Sequence, residues 1–355
     1  MKRKGLLSTF VFLLAAPAVF AQQVRIGVLG LFHSREITLS AAEGEAIVVT
    51  AAGKVFVLEP GVRAATARIE VAEPGLLLQF NGKLVHADEI QAAGRNRQSA
   101  GFLLGIPGKI SRKYQGTLTV RALRGEAVPV VTMDLETAVA SVVAAELTRD
   151  APLEALKAQA IVTRSYLLAG KGRHQDFDFC DATHCQFLRE PPSPESPPAV
   201  ATVATRGLFI AYEERAIAAM FTRSCGGHTR TPAEVGVSPG NYPYFPVVCD
   251  VCYKSPVRWT RKFSSQEVAR LLGKGEAGRL AVDRYLGWNA VPSNNFTTRE
   301  QEGVVILEGA GHGHGIGLCQ RGARAMAEGG ASFREIISHY FPNTALNNLN
   351  TSMAF

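Results

Sequence analysis

This chain predicts an α+β fold, with a β-rich N-terminal lobe packed on a mixed helix and sheet core, on the strength of three observations. Up to about Val131, apolar and polar residues alternate in short segments, the period of half-buried strands. From Asp134 to Lys171 the pattern changes to a helical repeat. Near the end, Ser332 to Phe341 is a short amphipathic stretch that starts on a serine with Glu335 three residues on, the spacing of a capping box.

Taken in order, VRIGVLGL, AIVVTAAGKVFVLE, ARIEVAEPGLLLQFNGKLVHA and GTLTVRALRGEAVPVV are separated by Gly, Pro and Asn-Gly breaks, and read as strands and hairpins. Ala138 to Ala145 is an Ala/Val-rich apolar run ending at Glu146. A second helix follows. Asp150 is placed to accept from the free N–H groups of its first turn, Pro152 needs no donor there, and Glu154 suits the positive end of the helix dipole. Leu153, Leu156, Ala160 and Thr163/Arg164 share one face of this helix. Glu190 to Pro198, EPPSPESPP, continues neither a helix nor a central strand, and reads as a surface loop. Ala199 to Thr205 reads as a helix, and GLFIAYEERAIAAMFTRS as a β-hairpin leading into SCGGHT. No internal repeat is found.

Met1 to Ala21 has a basic start, a short apolar run and small residues before Gln22, the pattern of a secretory signal peptide cleaved after Ala21. A retained anchor is the alternative, opposed by the Pro17 break and the Val-Phe-Ala ending. The expected location is exported, in the periplasm or cell envelope, with no membrane span after cleavage. The remaining length allows one large domain or two intimate ones. The formal charge is +7, and removal of Lys2, Arg3 and Lys4 leaves +4. That mild excess suits an anionic wall or membrane surface. No basic run carries interleaved aromatics, so nucleic acid is not an expected partner.

Three strings carry chemistry. Glu146 falls in a helix-to-helix corner, where it is either a surface glutamate or a carboxyl whose burial makes it a general acid near neutral pH. GHGHGIG, Gly311 to Gly317, fails the G-x-G-x-x-G spacing, and the formal match at Gly273 to Gly278 follows the helical SQEVARLL, so no dinucleotide is implied. Cys180, His184 and Cys185 in CDATHCQ, with His174 close by, have side chains suited to zinc, against a disulfide or free thiols. Six cysteines in an exported chain favour disulfides. If the fold gathers Cys225, Cys249, Cys252 and Cys319, they make either a four-thiolate zinc site or two disulfides. A zinc hydrolase or Cys peptidase lacks its signatures: there is no H-E-x-x-H and no Ser-x-x-Lys, and Cys225 and His228 share one turn.

AAEL…PLEALKAQAIVTRSY, CDATHCQ, the Phe221 to Thr229 segment with Tyr242-Pro-Tyr244, and GHGHGIGLCQRGARAMAEGGASFREIISHYFPNT together resemble the SpoIID/LytB family of bacterial cell-wall proteins, over roughly Val24 to Leu346. Cys225 and Cys319 depart from it, standing where the family more often has Ser or Thr. The resemblance implies a SpoIID-like catalytic core over residues 132–346, after a β-rich lobe over 22–131 and before a tail over 347–355. It also implies a lytic transglycosylase that cuts peptidoglycan glycan strands, with Glu146 as the single acid/base, and no required cofactor. Asp176, Asp178 or Asp181 facing Glu146 would make hydrolysis the better reading. Gln159, Arg164 and Tyr166, placed on the polar side of their helix, are implied to hold sugars or orient Glu146, together with Ser224, His312, Gly313, His314 and Gln320. Zinc near the catalytic Glu is extended to His174, Cys180, His184 and Cys185. LytB-type relatives add the alternative of a non-catalytic wall-binding module that activates a partner amidase.

Overall fold

The computed structural model describes residues 22–60, 66–236, 238, 240–266 and 290–349 of the 355-residue chain. The expected signal peptide, the Gly273–Gly278 stretch and most of the SQEVARLL segment lie outside the described residues. The N-terminal half is built from β1 (Gln23–Gly27), β2 (Glu36–Ala41), β3 (Ile47–Ala51), β4 (Lys54–Leu58), β5 (Thr66–Val71) and β6 (Leu76–Phe80). It continues with β7 (Lys83–Ala87), β8 (Glu89–Ala93), β9 (Ala100–Ile106), β10 (Ile110–Leu123) and β11 (Glu126–Asp134). All join one curled sheet ordered β12-β1-β11-β10-β9-β2-β5-β6-β7, where β12 is Phe179–Cys180, while β8 links β10 to the β3–β4 hairpin. The curl comes from β10: its first half pairs with β9, its second with β11 and β8. Gly116 stands at the changeover with φ +152°, and a Cβ there would lie 2.3 Å from the Thr132 carbonyl oxygen. Only glycine lets the two strands close at this point.

The helical repeat forms α1 (Leu135–Glu146) and α2 (Leu153–Ala169). Asp134 caps α1 by accepting from the N–H groups of Glu136 (2.9 Å) and Thr137 (3.3 Å). The expected cap of α2 is corrected. Pro152 holds the N-cap position with no side-chain cap, and Asp150 instead accepts from Arg324 Nη2 at 2.9 Å, linking the corner to a later helix. Helix α2 is buried on nearly all sides. Leu156, Ala160, Tyr166 and Leu167 join the core of the large sheet, whereas Ala158, Ile161 and Val162 join a second core with Ile210, Ile217, Leu318 and Phe341. A helix buried on both sides, polar residues included, is a central helix whose faces cannot be told apart by spacing. Of the residues expected to share one face, Leu156, Ala160, Thr163 and Arg164 are buried and Leu153 is 43% exposed.

Beyond it lie α3 (Pro197–Ala204), β13 (Leu208–Tyr212), β14 (Arg215–Ala216), β15 (Phe221–Thr222) and α4 (Asp250–Lys254). They are followed by β16 (Arg258–Ser264), β17 (Phe296–Gln301), β18 (Val304–Ala310) and β19 (Leu318–Cys319). The chain closes with α5 (Gln320–Glu328), α6 (Phe333–Tyr340) and β20 (Ala345–Asn348). The hairpin β13–β14 and the capping box of Ser332 and Glu335 are present as the residues dictate. Strand β11 runs through the expected boundary at 131/132, and β20 pairs with β13 through Asn347 and Asn348, so these residues join the core sheet. Parallel pairing of β12 with β1 ties the CDATHCQ loop to the N-terminal lobe. Among the described residues no helix is long and apolar enough to cross a membrane.

Candidate functional site

Glu146 is the last residue of α1, half-buried, at the negative end of the helix dipole. Burial raises its pKa from 4.5 to about 7 against the pull of the Phe187 N–H, Arg189 and Arg223. The Phe187 N–H donates to Glu146 Oε1 at 3.0 Å. One oxygen is thereby fixed, and at neutral pH the carboxyl is divided between its acid and base forms.

The loop that supplies this N–H is held by the first lobe. The N–H groups of Asp178 and Asp181 donate to the carbonyls of Arg25 (2.9 Å) and Gly27 (3.1 Å). Two of the three carboxylates that would have favoured hydrolysis by facing Glu146 are engaged here too. Asp178 accepts from the Arg25 N–H at 2.9 Å, and Asp181, 4% exposed, accepts from the Leu29 N–H and Arg112 Nη1, each at 3.1 Å. They pin the loop to the sheet.

In the same loop the structure gathers the ligand atoms of His174, Cys180, His184 and Cys185 within 4.8 Å of one another. Cys185 Sγ lies 3.3 Å from His174 Nε2 and 3.6 Å from His184 Nδ1, and Cys180 Sγ lies 3.8 Å from His184 Nδ1. The hydrogen bond from Cys185 holds the Cys180 thiol down to about 4. Two imidazoles and two sulfurs at this mutual separation fit a tetrahedral Zn²⁺, whose bonds to N and S are about 2.0–2.3 Å.

The Gly311–Gly317 turn is linked to Glu146 through Arg223, whose charge acts on both Glu146 and His312. It bridges to the SCGGHT segment, His312 N donating to the Ser224 carbonyl (2.7 Å) and Ser224 N to the His312 carbonyl (3.0 Å). Thr222 Oγ1 donates to the same His312 carbonyl at 3.0 Å and accepts from the Gly315 N–H at 3.1 Å. The glycines serve this contact. A Cβ on Gly311 would lie 2.5 Å from the Ser224 carbonyl oxygen and one on Gly317 2.2 Å from that of Met220, both at positive φ. The close approach expected toward a sugar is thus, at these two positions, toward the chain's own backbone. His312, Gly313 and His314 are half-buried at the turn. Burial, then Arg223, lowers the pKa of His312.

Five residues expected to touch substrate or sit on a polar face are corrected. Arg164 is fully buried, its Nε and Nη2 donating to the two Glu136 oxygens at 2.8 and 2.6 Å and its Nη1 to the Leu208 carbonyl at 2.9 Å. It cross-braces α1, α2 and β13. Gln159 and Gln320 are buried against each other, Gln320 Nε2 donating to Gln159 Oε1 at 3.3 Å. Ser224, 4% exposed, has its hydroxyl 3.4 Å from Cys252 Sγ. Tyr166 is buried with its ring 5.6 Å from that of Phe179, and its hydroxyl meets Cys185. Gln159, Arg164 and Tyr166 were misplaced because α2 is buried on nearly all sides, with little solvent face for them to occupy.

The structure adds two cations that spacing did not reveal. Arg189 is half-buried with its guanidinium 3.3 Å from the centre of the Phe187 ring and within electrostatic reach of both Glu146 and Asp181. Arg223, exposed, acts on both Glu146 and His312 and so marks the space between them. The signal for Arg189 was its place three residues beyond Gln186 in the loop motif; an isolated arginine carries no periodicity to find it by.

The fold and site define an α+β protein in which a carboxyl of raised pKa ends α1 and accepts from the loop that carries a Cys/His group of metal-site type. The SpoIID family model, described as stage II sporulation protein, matches residues 124–212, which include α1, α2 and the Cys/His loop. An uncharacterized protein of Brachyspira hyodysenteriae (strain ATCC 49526 / WA1) is 28% identical over 263 residues, 64% of this chain and 71% of that protein. Stage II sporulation protein D of Bacillus amyloliquefaciens is 25% identical over 263 residues, 62% of this chain and 76% of its own. The amidase enhancer of Bacillus subtilis (strain 168) is 38% identical over 61 residues, 17% of this chain and 9% of that protein. Residues 124–212 carry the likeness to the SpoIID family, and the matches support a cell-wall-related function of SpoIID/LytB type.

Proposed function

We propose that the chain is an exported lytic transglycosylase that cleaves the glycan strands of peptidoglycan, with Glu146 as its only acid/base. Glu146 protonates the leaving glycosidic oxygen, then takes the proton of the muramic 6-hydroxyl as that oxygen closes an anhydro ring. One carboxyl performs both steps because no water enters and no second carboxylate is required. The observation that carries this reading is the placement of Glu146, half-buried at the end of α1 with one oxygen fixed by the Phe187 N–H, where burial raises its pKa. The Phe187 N–H orients the carboxyl, leaving Oε2 to face substrate, while Arg189 and Arg223 stabilise the carboxylate left after proton transfer. His312, Gly313 and His314 line the sugar-binding wall.

His174, Cys180, His184 and Cys185 would hold a Zn²⁺, whose chemistry here is structural: it pins the loop that presents the Phe187 N–H. The acid/base cycle itself uses no cofactor. Export through residues 1–21, a β-rich lobe over 22–131 that braces the loop and a catalytic core from residue 132 belong to the same proposal.

The amidase-enhancer match favours a second reading, a wall-binding module that stimulates a partner amidase. Peptidoglycan digestion by an added cell-wall amidase, with the native chain and with Glu146→Gln, separates the two. Stimulation that survives the substitution, with no glycan cleavage by the native chain, supports the module. Glycan cleavage that is lost with Glu146 supports the enzyme.

A further inference from the structure

The second core contains a group of side chains for which glycan cleavage has no use. Cys225, Cys249, Cys252 and Cys319 are each no more than 1% exposed, all six cysteines of the chain are free thiols, and these four sulfurs lie within 4.8 Å of one another. They come from separate elements. Cys225 is in the SCGGHT segment, Cys249 and Cys252 bracket the first turn of α4, and Cys319 is the N-cap of α5. We propose that these cysteines bind a structural Zn²⁺ as four thiolates, a site distinct from the Cys/His group beside Glu146.

Geometry favours a metal over two disulfides. Zinc–sulfur bonds of about 2.3 Å in a tetrahedron set the sulfurs about 3.8 Å apart. Cys252 and Cys319 Sγ are 3.7 Å apart. The surroundings are built for anionic sulfur. Cys319 Sγ accepts from the N–H groups of Cys225 and Gly322, each at 3.4 Å, Cys249 Sγ accepts from the Tyr340 hydroxyl at 3.4 Å, and the Ser224 hydroxyl stands 3.4 Å from Cys252 Sγ. Such donors offset the negative charge of a four-thiolate site and orient its ligands. Gly322 leaves the room required, since a Cβ there would lie 2.6 Å from Cys249 Sγ and 1.9 Å from the Tyr340 hydroxyl. Cys249-x-x-Cys252 also has the paired spacing of structural zinc sites.

Binding exchanges four thiol protons for one Zn²⁺, with no oxidant involved. The ion would join the SCGGHT segment to the helix that follows the Gly311–Gly317 turn, and so hold that turn in register. It also gives buried Ser224 a role that sugar binding does not, that of a donor to a zinc-bound sulfur.

The test uses the full chain purified without chelator, together with Cys185→Ser, which disables the Cys/His group, and Cys252→Ser. Zinc per chain is measured by elemental analysis, and thiols are counted by alkylation after denaturation in chelator. Cys185→Ser should retain about one zinc, with X-ray absorption giving four sulfur neighbours at about 2.3 Å. Cys252→Ser should lose about one zinc relative to the native chain. If Cys252→Ser fails to fold, the absorption spectrum of Cys185→Ser decides alone. Two disulfides among these four cysteines, or a folded Cys185→Ser free of zinc after incubation with Zn²⁺, would overturn the proposal.

Discussion

Replacing Glu146 with Gln should make the protein more stable at alkaline pH and leave it nearly unchanged in mild acid. Burial raises the carboxyl from 4.5 to about 7, so between those values the folded chain holds a proton that the unfolded chain has released. Stability therefore falls as pH rises through this window, and the whole loss is present above pH 7. One pKa unit corresponds to about 1.4 kcal/mol, which places the loss at roughly 3 kcal/mol, reduced by solvent screening at a half-buried site to about 1–3 kcal/mol. Gln removes the charge and keeps an acceptor for the Phe187 N–H. Calorimetry at pH 8 should show Tm higher by a few degrees in Glu146→Gln, at about 2–4 °C per kcal/mol, and at about pH 4, below both pKa values, a difference close to zero. A variant no more stable than the native chain at pH 8, or one stabilised equally at both pH values, would refute the claim that burial destabilises the carboxylate.

Three more outcomes follow from the geometry. The rate of glycan cleavage should fall about tenfold per pH unit above about 7, as Glu146 loses its proton, and Arg189→Ala should move that limb to higher pH by removing a charge that lowers the Glu146 pKa; an unmoved limb counts against Arg189 as a neighbour of the acid. Arg164→Met leaves Glu136 without its main partner and should cost about 3–5 kcal/mol in urea unfolding, much of it recovered in the double variant with Glu136→Gln; a loss below about 1 kcal/mol would refute the bracing role and reopen the sugar-holding role first expected of Arg164. Gly317→Ala should lower Tm clearly, with a cost above about 1 kcal/mol, because its Cβ would lie 2.2 Å from the Met220 carbonyl oxygen at φ +72°, whereas Gly30→Ala, with open space around it, should be nearly neutral.

Much of this architecture was legible in local pattern. The alternating segments became strands, the Ser332/Glu335 spacing became a capping box, and Glu146 fell in the corner between two helices. The long-range pairings were not legible. Strand β2 pairs with β5 and β9, and β8 with β3 and β10, all distant in sequence, while β9 hides between Arg/Gln-rich and Gly/Pro-rich stretches although it forms a hairpin with β10. The polar residues of α2 misled for a related reason. Gln159 and Arg164 look like a solvent face by period, yet α2 is wedged between two cores and they are satisfied internally by Gln320 and Glu136. Asp150 had the right chemistry to cap α2 and the wrong partner, Arg324, far along the chain. The His/Cys loop could be named from its residues, whereas the meeting of Cys225, Cys249, Cys252 and Cys319 depended on how β15, α4 and α5 pack.

The most direct test of the account is mass spectrometry of purified peptidoglycan glycan strands, peptide-bearing and stripped, after incubation with the chain lacking residues 1–21 and with its Glu146→Gln variant. Anhydro-muramic ends produced by the native protein and absent with the variant are the predicted result. Reducing ends would mean that water is the nucleophile and that a second group activates it, and cleavage by the Glu146→Gln variant at the native rate would contradict the assignment of Glu146 as the acid/base.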